Sequence, residues 1–269
     1  MSIAHAVRRW RGSLKRPTIV HVHLPRCAGT SLRATLSEYA DRRITFVDGW
    51  PRFAPGRSIV NGISKDDVQR KIKAFRAPPG LVTGHFPFAE LADIVEDPIY
   101  LIVVRNPVER VASLIRFILS TPTHPKYELV QDCRGEPDLI YQCDDRGGQF
   151  DNGIARQLGG VTTVGELPSH CAASAWLALR HPRAIVTTPE RLREGLDALG
   201  QEVGYSFPDP PKLNTRGGAP VPERWRKSIA DHNTVDDLLY RYAERHPTLL
   251  RAEPFTSTTP IARAISSAA

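Results

Sequence analysis

The chain has 269 residues, of which 41% are hydrophobic, and its 36 basic and 29 acidic side chains give a formal charge of +7 at pH 7. A chain of this size can bury a substantial core as one large domain or two small ones, and we expect one. The mild positive charge suits an anionic ligand better than a nucleic-acid surface, since no basic stripe interleaved with aromatic residues is present. Apolar runs such as 99–104 and 115–119 are far below the ~20 residues that a membrane span needs.

The N-terminal arm and the cysteines bear on the compartment. Residues 1–16 are basic but lack the apolar region and cleavage site of a secretory signal, so we expect a surface arm; the alternative is a segment that touches lipid or a partner. Four cysteines, Cys27, Cys133, Cys143 and Cys171, match no zinc pattern. These features favour a reducing cytoplasm, with the thiols as small core fillers, whereas in an oxidising compartment Cys133 and Cys143 could form a disulfide.

The first predicted element is a β-branched strand from residue 18, which runs into the small-residue turn Pro25-Arg26-Cys27-Ala28-Gly29-Thr30-Ser31. Apolar residues then follow at helical spacing, at Leu32, Leu36 and Tyr39. Backbone N–H groups and two hydroxyls therefore lie at a helix N-terminus, which is an anion site, and Arg26 adds a fixed positive charge. The P-loop pattern G-x-x-x-x-G-K-[ST] is absent, which disfavours an ordinary ATPase or GTPase.

The next elements alternate between strands and helices. A strand over 44–47 precedes an amphipathic helix over 65–76, and the apolar segment 81–88 predicts a buried strand with His85 at its carboxyl end. Residues 98–104 are apolar throughout, as in a parallel strand covered on both faces. Asn106 and Pro107 then predict the N-cap and first residue of a helix. Its apolar face holds Val108, Val111, Leu114 or Ile115, and Ile118.

Residues 120–145 are polar and aperiodic, which predicts an irregular excursion covering the active cleft. Helices over 150–158 and 167–180 and a strand over 184–188 follow, then a helix capped by Thr188 and stopped at Gly200. The last helix opens at Thr234, after a loop over 208–222. This pattern predicts one α/β domain over 17–253, with a mostly parallel central sheet flanked by helices and ligands at the strand carboxyl ends. The arm 1–16 precedes it, and a frayed tail over 254–269 follows.

Three strand ends carry motifs. They read His23-Leu24-Pro25-Arg26-Cys27-Ala28-Gly29-Thr30-Ser31, Gly84-His85-Phe86-Pro87-Phe88 and Arg105-Asn106-Pro107-Val108-Glu109-Arg110-Val111-Ala112-Ser113. Their order and spacing resemble the carbohydrate-type sulfotransferases, a group that includes heparan sulfate 2-O-sulfotransferases and bacterial sulfotransferase family 2 proteins. The family patterns are H-I-P-K-T-(A/G)-G-T-S, G-H-F-P-(F/Y) and R-(D/N)-P-x-x-R-x-x-S. Later segments around Asp151, Asn152 and Arg156, and from Asp236 to Tyr240, are also similar to segments of this group.

The resemblance implies a P-loop-like nucleotide-binding architecture and transfer of a sulfuryl group from 3′-phosphoadenosine 5′-phosphosulfate (PAPS) to an acceptor hydroxyl, with no metal. The 5′-phosphosulfate would be held by the turn residues Arg26, Cys27, Ala28, Gly29, Thr30 and Ser31. Arg105 and Ser113 would hold the 3′-phosphate, about a nucleoside's length away. Arg216 either closes over the donor phosphate or is a solvated loop residue.

Catalytic roles follow from the same resemblance. His85 is the candidate general base, because imidazole titrates near working pH, and Arg26 would stabilise negative charge on the leaving oxygens. The family usually has lysine at this position, and arginine keeps the charge but is a very poor acid, which puts proton donation to the leaving group in doubt. We expect His21 and His23 to be structural core histidines. Arg110 is either a motif residue with a role or a surface ion-pair partner.

The subgroup resembled favours a carbohydrate or glycolipid acceptor. A kinase with an atypical phosphate loop is the rival enzyme, and it would require a metal-binding carboxylate after a strand. A catalytically silent sulfotransferase-like binding module is the rival from another class, and the arginine at position 26 lends it weight.

Overall fold

The computed structural model describes residues 17–40, 44–47, 80–86, 88, 95, 97–143, 148–160, 165–211 and 220–246, with the main chain alone for residues 40 and 44–47. The described strands form one five-stranded sheet in the order β2-β3-β1-β4-β5, and every neighbouring pair is parallel. The strands are β1 (Thr18–Val22), β2 (Ile44–Val47), β3 (Leu81–Gly84), β4 (Pro98–Val103) and β5 (Ala184–Thr187). The predicted fold class, a parallel sheet flanked by helices in one α/β domain, is confirmed.

Strand β1 lies at the centre of the sheet and is buried along its whole length. Val22, its last residue, is in register with Gly84 of β3 and Ile102 of β4. The connection after β1 leads to β2 on one side of the sheet, and the connection after β4 leads to β5 on the other side. The two connections therefore diverge between the neighbouring strands β1 and β4. Ligands of open parallel sheets bind at such a point, outside the strand carboxyl ends.

The described residues hold nine α-helices and one 3₁₀ turn. The helices are α1 (Gly29–Ala40), α2 (Pro107–Leu119), α3 (Tyr127–Asp132), α4 (Pro137–Cys143), α5 (Gly153–Gly159), α6 (Ser169–Leu179), α7 (Leu192–Val203), α8 (Glu223–His232) and α9 (Thr234–Arg245), and the 3₁₀ turn is Pro189–Arg191. Helix α1 packs against β3, and α7 packs against β4 and β5. The main core forms between the sheet and helices α1, α5, α6, α7 and α9.

Helix α2 begins as predicted. The Asn106 side chain accepts hydrogen bonds from the N–H groups of Val108 and Glu109, at 3.0 and 3.2 Å, and Pro107 occupies the first turn. Among the predicted apolar residues, Val108 is only partly buried, and the remainder are buried as expected: Val111, Leu114, Ile115 and Ile118.

The predicted irregular excursion over 120–145 is wrong in its described part. Helices α3 and α4 lie there and pack with α2 and α8 around a second core that includes Val130, Ile140 and Ile229. Helices of six and seven residues are shorter than the window in which an apolar period can be read, so no helical period is visible in the sequence. Helix α8 was also not predicted from the sequence. Its buried residues are only Ser228 and Ile229, so no apolar stripe forms.

The helix after β5 differs from its prediction at both ends. The Thr188 side chain makes no capping hydrogen bond, and a 3₁₀ turn precedes α7. Gly200 lies inside α7 rather than at its end. A side chain there would meet the Tyr205 carbonyl oxygen at 2.5 Å, so the glycine is required by space. The helix stops instead at Gly204, which has a φ of 65°.

Several predictions lie outside the described residues: the arm 1–16, the helix over 65–76, Pro87, Arg216 and the tail 254–269. All four cysteines are free thiols, and only that of Cys143 is exposed. No helix in the described part of the chain is long and apolar enough to cross a membrane. The cytoplasmic location stays a prediction.

Candidate active site

The loop from Pro25 to Ala28 joins the central strand to α1 and has an unusual backbone. Arg26 and Ala28 have φ values of 65° and 61°, in the left-handed region that residues with a Cβ rarely adopt. Such a backbone persists only where neighbouring groups hold it in place. The loop leads directly into the first turn of α1, whose N–H groups have no partner within the helix. This arrangement is suited to binding an anion.

Three contacts hold Arg26, and they come from the segment just after β4 and from helix α2. Its Nε donates to the Ser113 hydroxyl at 3.1 Å, and its guanidinium lies 4.7 Å from the centre of the Phe117 ring. Its carbonyl oxygen accepts from Nη1 of Arg105, also at 3.1 Å. Burial and then the nearby charge of Arg105 lower the pKa of Arg26. Two arginines thus lie together, as an anion site requires.

The structure brings the residues expected to hold the 3′-phosphate to the loop, since the side chains of Arg105 and Ser113 both contact Arg26. Their role in binding that phosphate stays a prediction. Both β4 and α2 contribute, since Arg105 follows the strand closely and Ser113 lies within the helix.

The first residue of α1, Gly29, lies against the imidazole of His23. A Cβ at position 29 would overlap that ring, and the φ of Gly29 is one that any residue can adopt. The glycine is therefore required by space and not by backbone conformation. His23 also continues the sheet, since its N–H donates to the Gly84 carbonyl oxygen at 2.9 Å.

His85 follows β3 directly and is partly exposed. Its Nδ1 lies 2.7 Å from the carbonyl oxygen of His23, and the two rings stack with their centres 4.1 Å apart. A carbonyl oxygen can only accept, so this bond places the proton of neutral His85 on Nδ1 and makes Nε2 the basic nitrogen.

Two further histidines near the loop, His21 and His23, stay neutral. Burial, followed by the charge of His85, lowers the pKa of His21 to about 3 and that of His23 to about 2. His21 is fully buried, with Nδ1 2.8 Å from the Thr83 hydroxyl, and its ring stacks on that of His23 with centres 5.4 Å apart. His21 matches the predicted structural role, whereas His23 contacts both the loop and His85.

Cys27 lies beneath the loop. Its N–H donates to the Leu24 carbonyl oxygen at 3.3 Å, its thiol is buried, and burial raises its pKa to about 11. A thiol with a raised pKa is a poor nucleophile, so the side chain acts as a small core filler.

Gln157 of α5 was not predicted as a site residue, although it lies within a segment that resembles the family. Its amide Nε2 donates to the carbonyl oxygens of His23 and Phe86, at 3.1 and 3.4 Å. The His23 carbonyl oxygen therefore receives two donors, one from His85 and one from Gln157. A polar residue amid the buried positions of α5 was the only signal in the sequence.

Arg110 is fully buried, so the alternative of a surface ion pair is wrong. Its Nη2 lies 3.3 Å from an oxygen of Asp236, which is also fully buried. The two Asp236 oxygens accept from the N–H groups of Ile154 and Ala155, at 3.0 and 2.8 Å, and so cap the start of α5. Burial raises the pKa of Asp236, while Arg110 and these N–H groups oppose the rise.

Two asparagines complete the network around this ion pair. Asn152, with a φ of 45°, accepts at its side-chain oxygen from the N–H groups of Val235 and Asp236. The Asn233 side-chain oxygen accepts from the Asn152 N–H at 3.0 Å. Arg156 donates to Asp151 at 2.8 Å and to the Gly165 carbonyl oxygen. The later family-like segments thus meet as one buried network that joins α2, α5 and α9.

The structure brings together, at the carboxyl ends of β1, β3 and β4, all but one of the predicted site residues: Arg26, Cys27, Ala28, Gly29, Thr30, Ser31, His85, Arg105 and Ser113. The exception, Arg216, lies outside the described residues. Within this part of the chain, no group of three or more His, Cys, Asp or Glu side chains is placed to hold a metal ion.

No protein-family model matches the chain, and no curated protein matches it. Two solved structures have a similar fold. Mouse sulfotransferase SULT7A1 in complex with PAP has 11% identity and a TM-score of 0.42, with 87% of this chain and 70% of the mouse chain covered. A sulfotransferase from Alicyclobacillus acidocaldarius has 16% identity and a TM-score of 0.47, with 87% of this chain and 98% of that chain covered.

Fold and site together define a parallel α/β protein whose central strand ends in a loop suited to binding an anion. A histidine follows the strand on one side of it, and an arginine follows the strand on the other.

Proposed function

We propose that the chain is a sulfotransferase that moves a sulfuryl group from PAPS to an acceptor hydroxyl. The observation that carries the proposal is the convergence of Arg26, Arg105 and Ser113 on the loop after the central strand, beside His85. Two guanidinium groups and a helix N-terminus suit a donor with several negative charges. The motif resemblance supplies the choice of PAPS and of a carbohydrate or glycolipid acceptor.

The donor would lie across the loop. Its 5′-phosphosulfate would accept hydrogen bonds from the first N–H groups of α1, at Gly29, Thr30 and Ser31, and from the two hydroxyls among them. Arg105 and Ser113 would contact the 3′-phosphate, since they belong to the third motif and lie on the loop's β4 side. Because arginines supply the positive charge here, we expect turnover without a divalent metal.

His85 would be the general base. Its Nε2 takes the proton of the acceptor hydroxyl while the acceptor oxygen attacks sulfur in line with the bridging oxygen. The new bond joins the acceptor oxygen to sulfur, and the bond between sulfur and the bridging oxygen breaks. Its electron pair stays on the 5′-phosphate of the released nucleotide, PAP. Arg26 would stabilise this negative charge.

The 3′-phosphate site predicts how nucleotide affinity depends on that phosphate. We expect PAP to bind at least about tenfold more tightly than AMP, because one charge-assisted hydrogen bond contributes about 1.5–3 kcal/mol. Calorimetry measures both affinities, and Arg105→Met should weaken PAP binding while leaving AMP binding nearly unchanged. Equal affinities of the wild type for PAP and AMP would remove PAPS as the donor.

The reaction itself is tested by incubating the protein with sulfur-35-labelled PAPS in EDTA. Transfer of the label is measured to carbohydrate, glycolipid and phenol acceptors. We expect His85→Ala to lose roughly 10²–10⁴-fold in turnover and to keep PAP affinity, because a general base acts on the acceptor proton. PAP binding without transfer to any acceptor would indicate the silent module. Phosphoryl transfer that requires ATP and magnesium would indicate the kinase.

A further inference from the structure

His23 contacts both parts of the proposed active site. Its ring fills the space that a side chain at Gly29 would occupy. The same ring stacks on His85, with centres 4.1 Å apart and an angle of 27° between the planes. The first helical residue of the proposed anion site and the candidate base therefore both contact a single imidazole.

The main chain of His23 adds a second contact to the base. Its carbonyl oxygen accepts from Nδ1 of His85 at 2.7 Å, while its N–H is bonded to Gly84, the residue before His85. Gln157 donates to the same carbonyl oxygen at 3.1 Å and restricts its direction. The His23 ring thus fixes the plane of the His85 ring, and the hydrogen bond to the His23 carbonyl oxygen fixes the His85 tautomer.

We propose that His23 is a positioning residue that couples the donor loop to the general base, its ring setting the distance between Gly29 and His85 and its carbonyl oxygen fixing the His85 tautomer. This inference rests on the proposed function, because it gives His85 the role of base.

The charge state of His23 suits this role. Burial and then the charges of His85, His21, Arg33 and Arg26 keep the pKa of His23 far below its usual range. The ring therefore stays neutral when His85 takes up a proton from the acceptor. A cationic imidazolium is attracted to the face of a neutral aromatic ring, whereas two cations at this distance would repel each other.

A double-mutant cycle tests the steric part. We expect Gly29→Ala to weaken PAP binding about tenfold or more, because the loop must move away from the His23 ring and loses a charge-assisted hydrogen bond. His23→Ala should leave PAP affinity within about threefold, since it removes the obstacle and not a ligand. The double variant should bind PAP like His23→Ala. Binding as weak as that of Gly29→Ala would show that the His23 ring is not the obstacle.

Turnover separates positioning from loop sterics. His23→Ala should lower kcat by roughly 10²-fold at unchanged KM for the donor, because a small misplacement of a catalytic group has effects of that size. The double variant should keep this low kcat although its PAP affinity recovers. His170→Ala is the matched control, because His170 is an exposed histidine on α6. A wild-type kcat for His23→Ala would overturn the positioning role.

Nitrogen-15 NMR of labelled histidine provides a readout that needs neither donor nor turnover. Wild-type His85 should show protonated Nδ1 and unprotonated Nε2 at neutral pH, and His23→Ala should show the same tautomer, because alanine keeps the main-chain carbonyl oxygen at position 23. The opposite tautomer in the wild type would overturn the inference, even if sulfuryl transfer is observed. Absence of transfer with the expected tautomer would instead contradict the proposed function. Thermal unfolding of each variant identifies any that fail to fold.

Discussion

Arg26 is the residue at which the chain departs from the family that it resembles. Lysine could donate a proton to the leaving group, but the leaving group in the proposed reaction is a phosphate, and the second pKa of a phosphate monoester is about 6. It departs without a proton near pH 7.5, so charge stabilisation is sufficient. The guanidinium also bonds Ser113 and stacks on Phe117 at once, which an ammonium cannot reproduce.

We therefore expect Arg26→Met to lose roughly 10²–10³-fold in kcat, as when a donor to a developing charge is removed. Arg26→Lys should lose about tenfold, since it keeps the charge but not the bond to Ser113. Steady-state kinetics with PAPS measures both, and Arg241→Met, an exposed arginine of α9, is the control. A kcat of Arg26→Lys above that of the wild type would mean that proton donation limits turnover.

The three motifs show how much of the site is predictable residue by residue. The sequence predicts Gly29, His85 and Arg105 as site residues. Each follows a strand or lies in a glycine-containing turn, and its chemistry lies in the side chain or the turn itself. Gln157 and Phe117 could not be found this way, because their roles come from contacts with residues far along the chain. The ring of His23 likewise has no local signal, since its position against Gly29 exists only after folding.

At the scale of elements, the pair of Arg110 and Asp236 holds α2, α5 and α9 together. Asp236 caps α5, the helix that carries Gln157, while Arg110 lies one turn before Ser113 in α2. Both sides of the site thus depend on one buried ion pair. The sequence could not predict this, because an arginine on a helix is usually exposed and its partner lies 126 residues away.

Removing one partner should be strongly destabilising. We expect Arg110→Met to lower the free energy of unfolding by about 3–5 kcal/mol, because it leaves Asp236 charged, buried and without its cation. Asp236→Asn in the same chain should recover part of this loss, since a neutral amide needs no cation and its oxygen still accepts an N–H. Urea unfolding measures the wild type, the two single variants Arg110→Met and Asp236→Asn, and the double variant, with Arg241→Met as an exposed control that should match the wild type. Additive losses in the double variant would show that the pair is not coupled.

At the scale of the whole molecule, the parallel sheet was predictable because buried parallel strands are continuously apolar, as β4 illustrates. The second core around α2 was not, because α3 and α4 are too short to show a period and α8 has a largely polar surface. The chain order of strands was readable, but their spatial order, with β3 and β4 on either side of β1, depends on long-range pairing. That order brings His85, Arg26 and Arg105 to one edge.

The buried histidines beside this edge predict how stability depends on pH. The pKa of His21 is lowered to about 3 and that of His23 to about 2, whereas an unfolded histidine titrates near 6.5. Between these values the unfolded chain binds protons that the native protein does not, so stability falls as the pH falls below about 6.5. At ~1.4 kcal/mol per pH unit for each group, the two should cost about 4 kcal/mol between pH 7.5 and pH 5.0.

Urea unfolding at these two pH values checks the sum. His21→Gln should remove about half of the pH-dependent loss, because glutamine does not titrate and can still bond the Thr83 hydroxyl. His170→Gln, at an exposed position on α6, should leave the difference between the two pH values unchanged. If His21→Gln keeps the full wild-type difference, His21 takes up a proton in the native protein between pH 7.5 and pH 5.0, and burial does not lower its pKa as expected.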